Sequence, residues 1–124
     1  MIPKYKAWIK TEGCFADYIE SIRFYINEID LCWGGICESD CFDFKDVILV
    51  QSTGLHDKNG KEIFEGDILS SESYPAKGVV EYRTNLGMWV NCLKEYSYYE
   101  YLGNVASNRE IIGNIWADGD LLDS

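Results

Sequence analysis

The chain has two prolines in 124 residues, a single histidine, and 11 basic side chains against 21 acidic ones. Each scarcity excludes something. So little proline, together with an apolar fraction of 47% and an aromatic fraction of 15%, excludes a disordered chain and leaves one able to bury a real core. The lone His56 gives a thiol nucleophile only one side chain to serve as its base, and it lies in a different stretch from most of the cysteines. The formal charge of −10 repels a polyphosphate backbone, so direct nucleic-acid binding starts with a penalty and a cationic partner is easier to engage. No stretch approaches ~18 uninterrupted apolar residues, as a membrane-spanning helix requires. The opening MIPKYKAWIKTEG likewise lacks an apolar core of signal-peptide length.

What is present begins with five cysteines, Cys14, Cys32, Cys37, Cys41 and Cys92. Without an export signal they are expected to be free thiols in a reducing cytoplasm. Cys14, Cys32, Cys37 and Cys41 could in number complete a tetrahedral zinc site, but the gaps of four and three residues between the last three are not paired Cys-x-x-Cys knuckles. No metal and no cofactor is expected. Nor does any repeat or Gly/Ser/Pro linker divide the chain, so residues 1–124 are expected to form one domain.

Strand signals dominate. Tyr5, Ala7 and Ile9 alternate with Lys4, Lys6 and Trp8, which predicts a strand over 4–10. Residues 15–33 admit two readings. Phe15, Tyr18, Ile19, Ile22, Tyr25, Ile26 and Ile29 fall at helical spacing, whereas the β-branched and aromatic content suits a hairpin turning at Asn27-Glu28, with arms 18–24 and 28–33. Gly34-Gly35 then opens a polar, acidic, cysteine-bearing loop that runs to about Asp43. Further strands are expected at 47–51, 67–71, 77–82, 89–93, 96–101 and 111–116, and a helical turn through Leu121-Leu122. Many short strands at such spacing predict a mainly β chain, a barrel or a sandwich.

The densest signal is Gln51–Leu69, QSTGLHDKNGKEIFEGDIL. Asn59-Gly60 between two lysines predicts a type I′ turn with both central residues at positive φ, and Gly66-Asp67 predicts a tight bend into the next strand. His56, Asp57, Asn59, Glu62, Glu65 and Asp67 could be read as an acid-base or divalent-metal cluster. A calcium loop, however, would need a bidentate Glu where Ile68 stands, and turn geometry accounts for Gly54, Asp57, Asn59, Gly60, Gly66 and Asp67 without any ligand. These six are therefore expected to be structural.

Four pieces of the chain, KYKAWIK, TGLHDKNGKEIFEGD, GVVEYRTNLGMWV and EIIGNIWADGDLL, resemble in order the YopX family of phage and prophage proteins. The resemblance implies a mainly β fold with a small barrel like the Src-homology-three domain and additional N-terminal strands, and it favours the hairpin for residues 15–33. It also implies oligomeric assembly in at least some members, no established activity and no catalytic residues. The stretch Cys32–Cys41 departs from the family pattern, so a role there would be particular to this chain.

In Glu95–Tyr101, EYSYYEY, the side chains of Tyr96, Tyr98, Tyr99 and Tyr101 offer contact area at low entropic cost, yet their companions are acidic, which suits a protein partner better than a base-stacking platform. The expectation is a non-enzymatic, homo-oligomeric protein-interaction module of a phage or prophage, working in the host bacterial cytoplasm with a host or phage protein as partner and no membrane. Two alternatives carry weaker signals: an acidic DNA mimic that inhibits a host nucleic-acid-binding protein, and a metal-assisted hydrolase using the carboxylates around residues 57–67.

Overall fold

The computed structural model describes residues 4–35, 38–71 and 76–123. The chain is mainly β and divides into two compact units, residues 1–51 and 52–124, with every strand pair antiparallel.

The first unit holds β1 (Tyr5–Ile9), β2 (Cys14–Phe15), β3 (Tyr18–Arg23), β4 (Glu28–Cys32), β5 (Ser39–Asp43), a 3₁₀ turn (Phe44–Asp46) and the opening half of β6 (Val47–His56). β1 lies between β2 and β6, and β4 lies between β3 and β5. Alternation along β1 sends Ala7 and Ile9 inward, where they meet Ile29 and Leu31 of β4 with Ile19, Ile22 and Phe42 around them. Trp8 meets Phe15 edge to face at 4.9 Å, and the Lys6 ammonium sits 4.5 Å from the same ring.

Residues 18–32 form the hairpin, not the helix, and the register explains why the spacing looked helical. Ile19 pairs with Leu31 and Ser21 with Asp30, so Glu20 is an extra residue in a β-bulge. The bulge lets Ile19 and Ile22, three apart, reach the same core, which strict alternation would forbid. Tyr25 and Ile26 belong to the loop. A second difference concerns residues 39–43, expected as loop, which form β5 paired along the whole length of β4. One anchor, Phe42, and the ladder hydrogen bonds suffice for an edge strand whose other side chains are polar.

Three hairpin loops share one construction: Lys10–Gly13, Phe24–Asn27 and Thr84–Gly87, each four residues between paired strand ends. A carbonyl at the strand end (Ile9, Arg23 or Arg83) accepts from the amide three residues on, at 3.2, 3.3 and 3.0 Å. The fourth residue is left-handed, with φ of 65° at Gly13, 56° at Asn27 and 66° at Gly87.

The second unit holds the rest of β6, β7 (Glu62–Phe64), β8 (Asp67–Ser70), β9 (Lys77–Arg83), β10 (Met88–Leu93), β11 (Tyr98–Tyr101) and β12 (Glu110–Asn114). The order β11-β10-β9-β8-β12 makes one five-stranded sheet that curls into a half-barrel. A helical turn α1 (Leu102–Val105) leads from β11 through a 3₁₀ turn toward β12, and α2 (Ile115–Asp118) follows β12. Ile63, Leu69, Val80, Leu102 and Ala106 make the core, with Leu55, Trp89 and Ile111 packed on it. Two strand ends differ from expectation. Lys94–Tyr96 is a 3₁₀ turn, and Ser97 at φ 50° separates it from β11. β12 stops at Asn114 because the Asn114 side chain accepts from the amides of Trp116 and Ala117 at 3.1 and 2.9 Å, capping α2. The turn through Leu121-Leu122 forms as 3₁₀ helix.

Gly78 of β9 faces Asn91 of β10 so closely that a Cβ there would stand 2.1 Å from the Asn91 amide oxygen. Asn91 is 1% exposed and hydrogen-bonded to Glu100, so it has nowhere to move. Gly78→Ala is expected to destabilise the fold by about 1–3 kcal/mol, as overpacking does, read as a lower urea midpoint with unchanged slope.

Candidate functional site

The hairpin carboxylates come first because they invited chemistry. Asp57 is 5% exposed, and its two oxygens accept three backbone N–H groups: Oδ1 takes Asn59 and Lys61 at 2.9 Å each, and Oδ2 takes Ile111 of β12 at 3.0 Å. Burial pushes the Asp57 carboxyl up, but these donors outweigh it, and the net displacement is downward. The Asp57 carbonyl also accepts from Gly60 N–H at 3.0 Å, while the Asp57 amide donates to the Lys61 carbonyl at 2.8 Å. That pattern closes a three-residue loop, Lys58–Gly60, with only Gly60 at positive φ (82°). The turn is therefore type I followed by a glycine bulge, not the type I′ turn expected from Asn59-Gly60. The reason is Asp57 itself, whose Oδ1 draws the Asn59 and Lys61 amides toward one point.

Gly54, at φ 79°, sits where the β6–β7 pairing shifts register between Ser52 and His56. Gly66, at φ 84°, donates to the Val80 carbonyl at 2.9 Å, and its missing side chain leaves room for the Trp116 indole. Asp67, 4% exposed, accepts from Phe64 N–H at 2.8 Å across that bend. His56 is exposed on β6. Among the described residues no group of three or more His, Cys, Asp or Glu side chains is placed to hold a metal ion.

Cys37 lies outside the described residues. Cys14 is half-buried on β2, Cys32 and Cys92 are buried, and Cys41 is exposed on β5. Next to Cys41, the Arg23 guanidinium grips Asp30 through both terminal nitrogens and reaches Glu28 at 3.3 Å and the Cys41 sulfur at 3.4 Å. The hydrogen bonds from Arg23, with a further one from Ser21, hold the Asp30 carboxyl at about 2. Desolvation and the Glu28 carboxylate push the Cys41 thiol up, away from thiolate chemistry.

The tyrosine stretch separates into two populations. Glu100 turns inward: its carboxylate takes Arg109 in two hydrogen bonds of 3.0 and 2.9 Å and the Asn91 amide at 2.9 Å, with the Glu100 and Arg109 side chains only 12% and 10% exposed. Glu100 is thus no surface companion of the tyrosines. Alternation then sets Tyr99 and Tyr101 on the opposite face of β11, where their rings meet edge to face at 6.0 Å and Arg83 lies 5.4 Å from the Tyr99 ring. Tyr96, Tyr98 and Tyr101 are exposed, and β11 is an edge of its sheet.

Beside β11 lies an open groove of about 450 Å³, lined by Leu55, Met88, Trp89 and Tyr101 with Thr53 and Asn104 as polar points. Its walls are mostly apolar, and it opens broadly to solvent. Of the residues singled out from the sequence, only Tyr101 reaches it. Trp89 and Met88 had a signal of their own, large apolar residues directly after the turn glycine Gly87, but the groove is assembled from three separate stretches.

The fold and site define a small mainly β protein, a curled half-barrel carrying an aromatic edge strand and groove, with additional N-terminal strands. The family described as YopX protein matches residues 4–123, and the chain belongs to that family. Protein EF1440 from Enterococcus faecalis is similar in structure at a TM-score of 0.62 and 26% identity, over 98% of this chain and 99% of that one. Protein yopX from Bacillus subtilis shares the fold at a TM-score of 0.60 and 17% identity, over 97% and 95%. Among curated proteins, none matches the chain.

Two outcomes follow from the carboxylates. Asp57→Ala strands three amides at once and is expected to cost roughly 3 kcal/mol, measured by urea unfolding, with Asp57→Asn intermediate. Asp30 and Asp57 both sit below their ordinary value of 3.8 when folded. The unfolded chain therefore binds protons first, so their contribution is complete above about pH 5 and falls with the pH. Asp30's share is exhausted near its folded value of about 2. Melting temperatures taken between pH 6 and pH 2 should fall, and Asp30→Asn should fall less steeply.

Proposed function

We propose that the chain is a non-enzymatic protein-interaction module of phage or prophage origin, acting in the bacterial cytoplasm, which self-associates and holds a protein partner on the tyrosine-bearing edge of its half-barrel. The observation that carries this reading is the juxtaposition of an open edge strand bearing exposed Tyr98 and Tyr101 with an aromatic groove that Tyr101 itself lines. An extended segment added along β11 takes its affinity from main-chain hydrogen bonds and its specificity from side chains seated in the groove. Residues 52–124 carry twelve acidic and six basic side chains, so a cationic segment is favoured over an acidic one.

Selection of peptides from a random library on the immobilised protein tests this. Enriched peptides are expected to be basic with apolar anchors and to bind Tyr98→Ser/Tyr101→Ser at least ~10-fold more weakly, both positions being exposed enough to spare the fold. Failure to enrich any peptide, or equal binding to the double variant, would sink the reading.

A further inference from the structure

The two most exposed large apolar side chains of the first unit are adjacent, and a third exposed one follows them. Phe24, Tyr25 and Ile26, at the tip of the β3–β4 hairpin, are 72%, 82% and 47% exposed. Nothing in loop geometry asks for them: the Phe24–Asn27 loop needs only its left-handed Asn27, and the equivalent loops read Lys-Thr-Glu-Gly and Thr-Asn-Leu-Gly. Held mostly in water, three such side chains return little to the fold of one chain and mark an interaction surface.

The same unit carries a receptor for them. Phe44, Val47 and Leu49 wall an apolar cleft whose floor is the buried Ile29, with a volume of about 240 Å³. An apolar cavity of about 150 Å³ is enough to hold benzene, so the cleft accommodates one aromatic ring with its neighbours. Tip and cleft adjoin, since Phe24 meets Phe44 edge to face at 5.9 Å and Ile26 shares a shallow pocket with Phe44, Asp43 and Lys45. We propose that the occupant of this cleft is the hairpin tip of a second copy of the chain, the ring of Tyr25 or Phe24 seated between Phe44, Val47 and Leu49.

Because knob and hole lie side by side on one surface, a two-fold pairing buries both tips in a single interface. The rim supports a protein occupant over a lipid one. It carries both signs, with Asp43 and Lys45 3.9 Å apart, which a two-fold pairing can set sign against sign across the interface. The inference deepens the self-association in the function proposed above by naming the surface that joins the copies.

Sedimentation equilibrium on the full chain separates the possibilities, with Phe24→Ser/Tyr25→Ser as the tip variant, Val47→Ser/Leu49→Ser as the cleft variant and Tyr98→Ser/Tyr101→Ser as the control. The tip variant should melt within a few degrees of wild type at low protein concentration, losing one Phe24–Phe44 ring contact from two side chains that are 72% and 82% exposed. It is expected to dissociate at least ~100-fold more readily, two anchors of a hot spot being lost. The cleft variant should be equally impaired, and the control should associate like wild type. Wild-type monomers at submillimolar concentration would overturn the inference together with the self-association it rests on. Association lost in the control but retained in the tip variant would overturn the inference alone. Wild-type monomers that bind lipid vesicles through the tip would replace the second copy with a membrane.

Discussion

One buried carboxylate organises the second unit. Asp57 holds the Asn59 and Lys61 amides on one oxygen and the Ile111 amide on the other, tying the β6–β7 loop to a strand that begins more than fifty residues later. The adjoining bond, Lys58 N–H to the Arg109 carbonyl at 2.9 Å, pins the residue before β12. Arg109, held by its backbone, sends its guanidinium to Glu100 and fixes the inward face of β11. Alternation then sets Tyr99 and Tyr101 on the face opposite Glu100, with Tyr98 on the Glu100 side of the edge strand. The surface proposed to bind a partner is thus set by a chain of polar contacts that starts at a turn. An ionised group buried with its lone pairs satisfied is stable there, whereas the same group stripped of one donor would not be.

Around that tie the fold uses glycine and bulges to relieve conflicts between apolar spacing and strand period. Extra residues in β3 and β12 re-phase those strands, the first so that Ile19 and Ile22 share a core and the second between Ile111 and Gly113. Loops of one design recur at three hairpins, and their side chains are free to vary because only the fourth position carries a backbone demand. At Lys10–Gly13 and Thr84–Gly87 that freedom is spent mostly on polar residues. At Phe24–Asn27 it is spent on aromatics, which is why that tip reads as a contact surface rather than as a structural requirement.

Much of the fold was legible along the chain, because alternation and turn chemistry are local. The strands at β1, β8, β9 and β10 and the hairpin loop at Lys58–Gly60 lie close to where the residues predict them. The type of that turn was not legible, because Asn59-Gly60 suits type I′ by itself and only the Asp57 carboxylate, acting from outside the turn, selects type I with a bulge. β5 was missed for a related reason: Ser39–Asp43 has one large apolar side chain, Phe42, and its pairing comes from the neighbour β4 rather than from its own composition. Among the tyrosines, the sequence could not separate inward Glu100 from its neighbours Tyr99 and Tyr101 without knowing where Arg109 would stand.

By itself, then, the order of residues determined the class of fold, the family and the turn positions, since turns and strand periods depend on neighbours within a few positions. Only the tertiary structure decided which carboxylates are buried as ties, which aromatics face water, and that Leu55, Met88, Trp89 and Tyr101 meet in one groove. The physical reason is range. Backbone preference and side-chain period act over a turn or a strand, whereas a groove or a buried ion pair joins residues whose only shared property is the register that long-range pairing imposes.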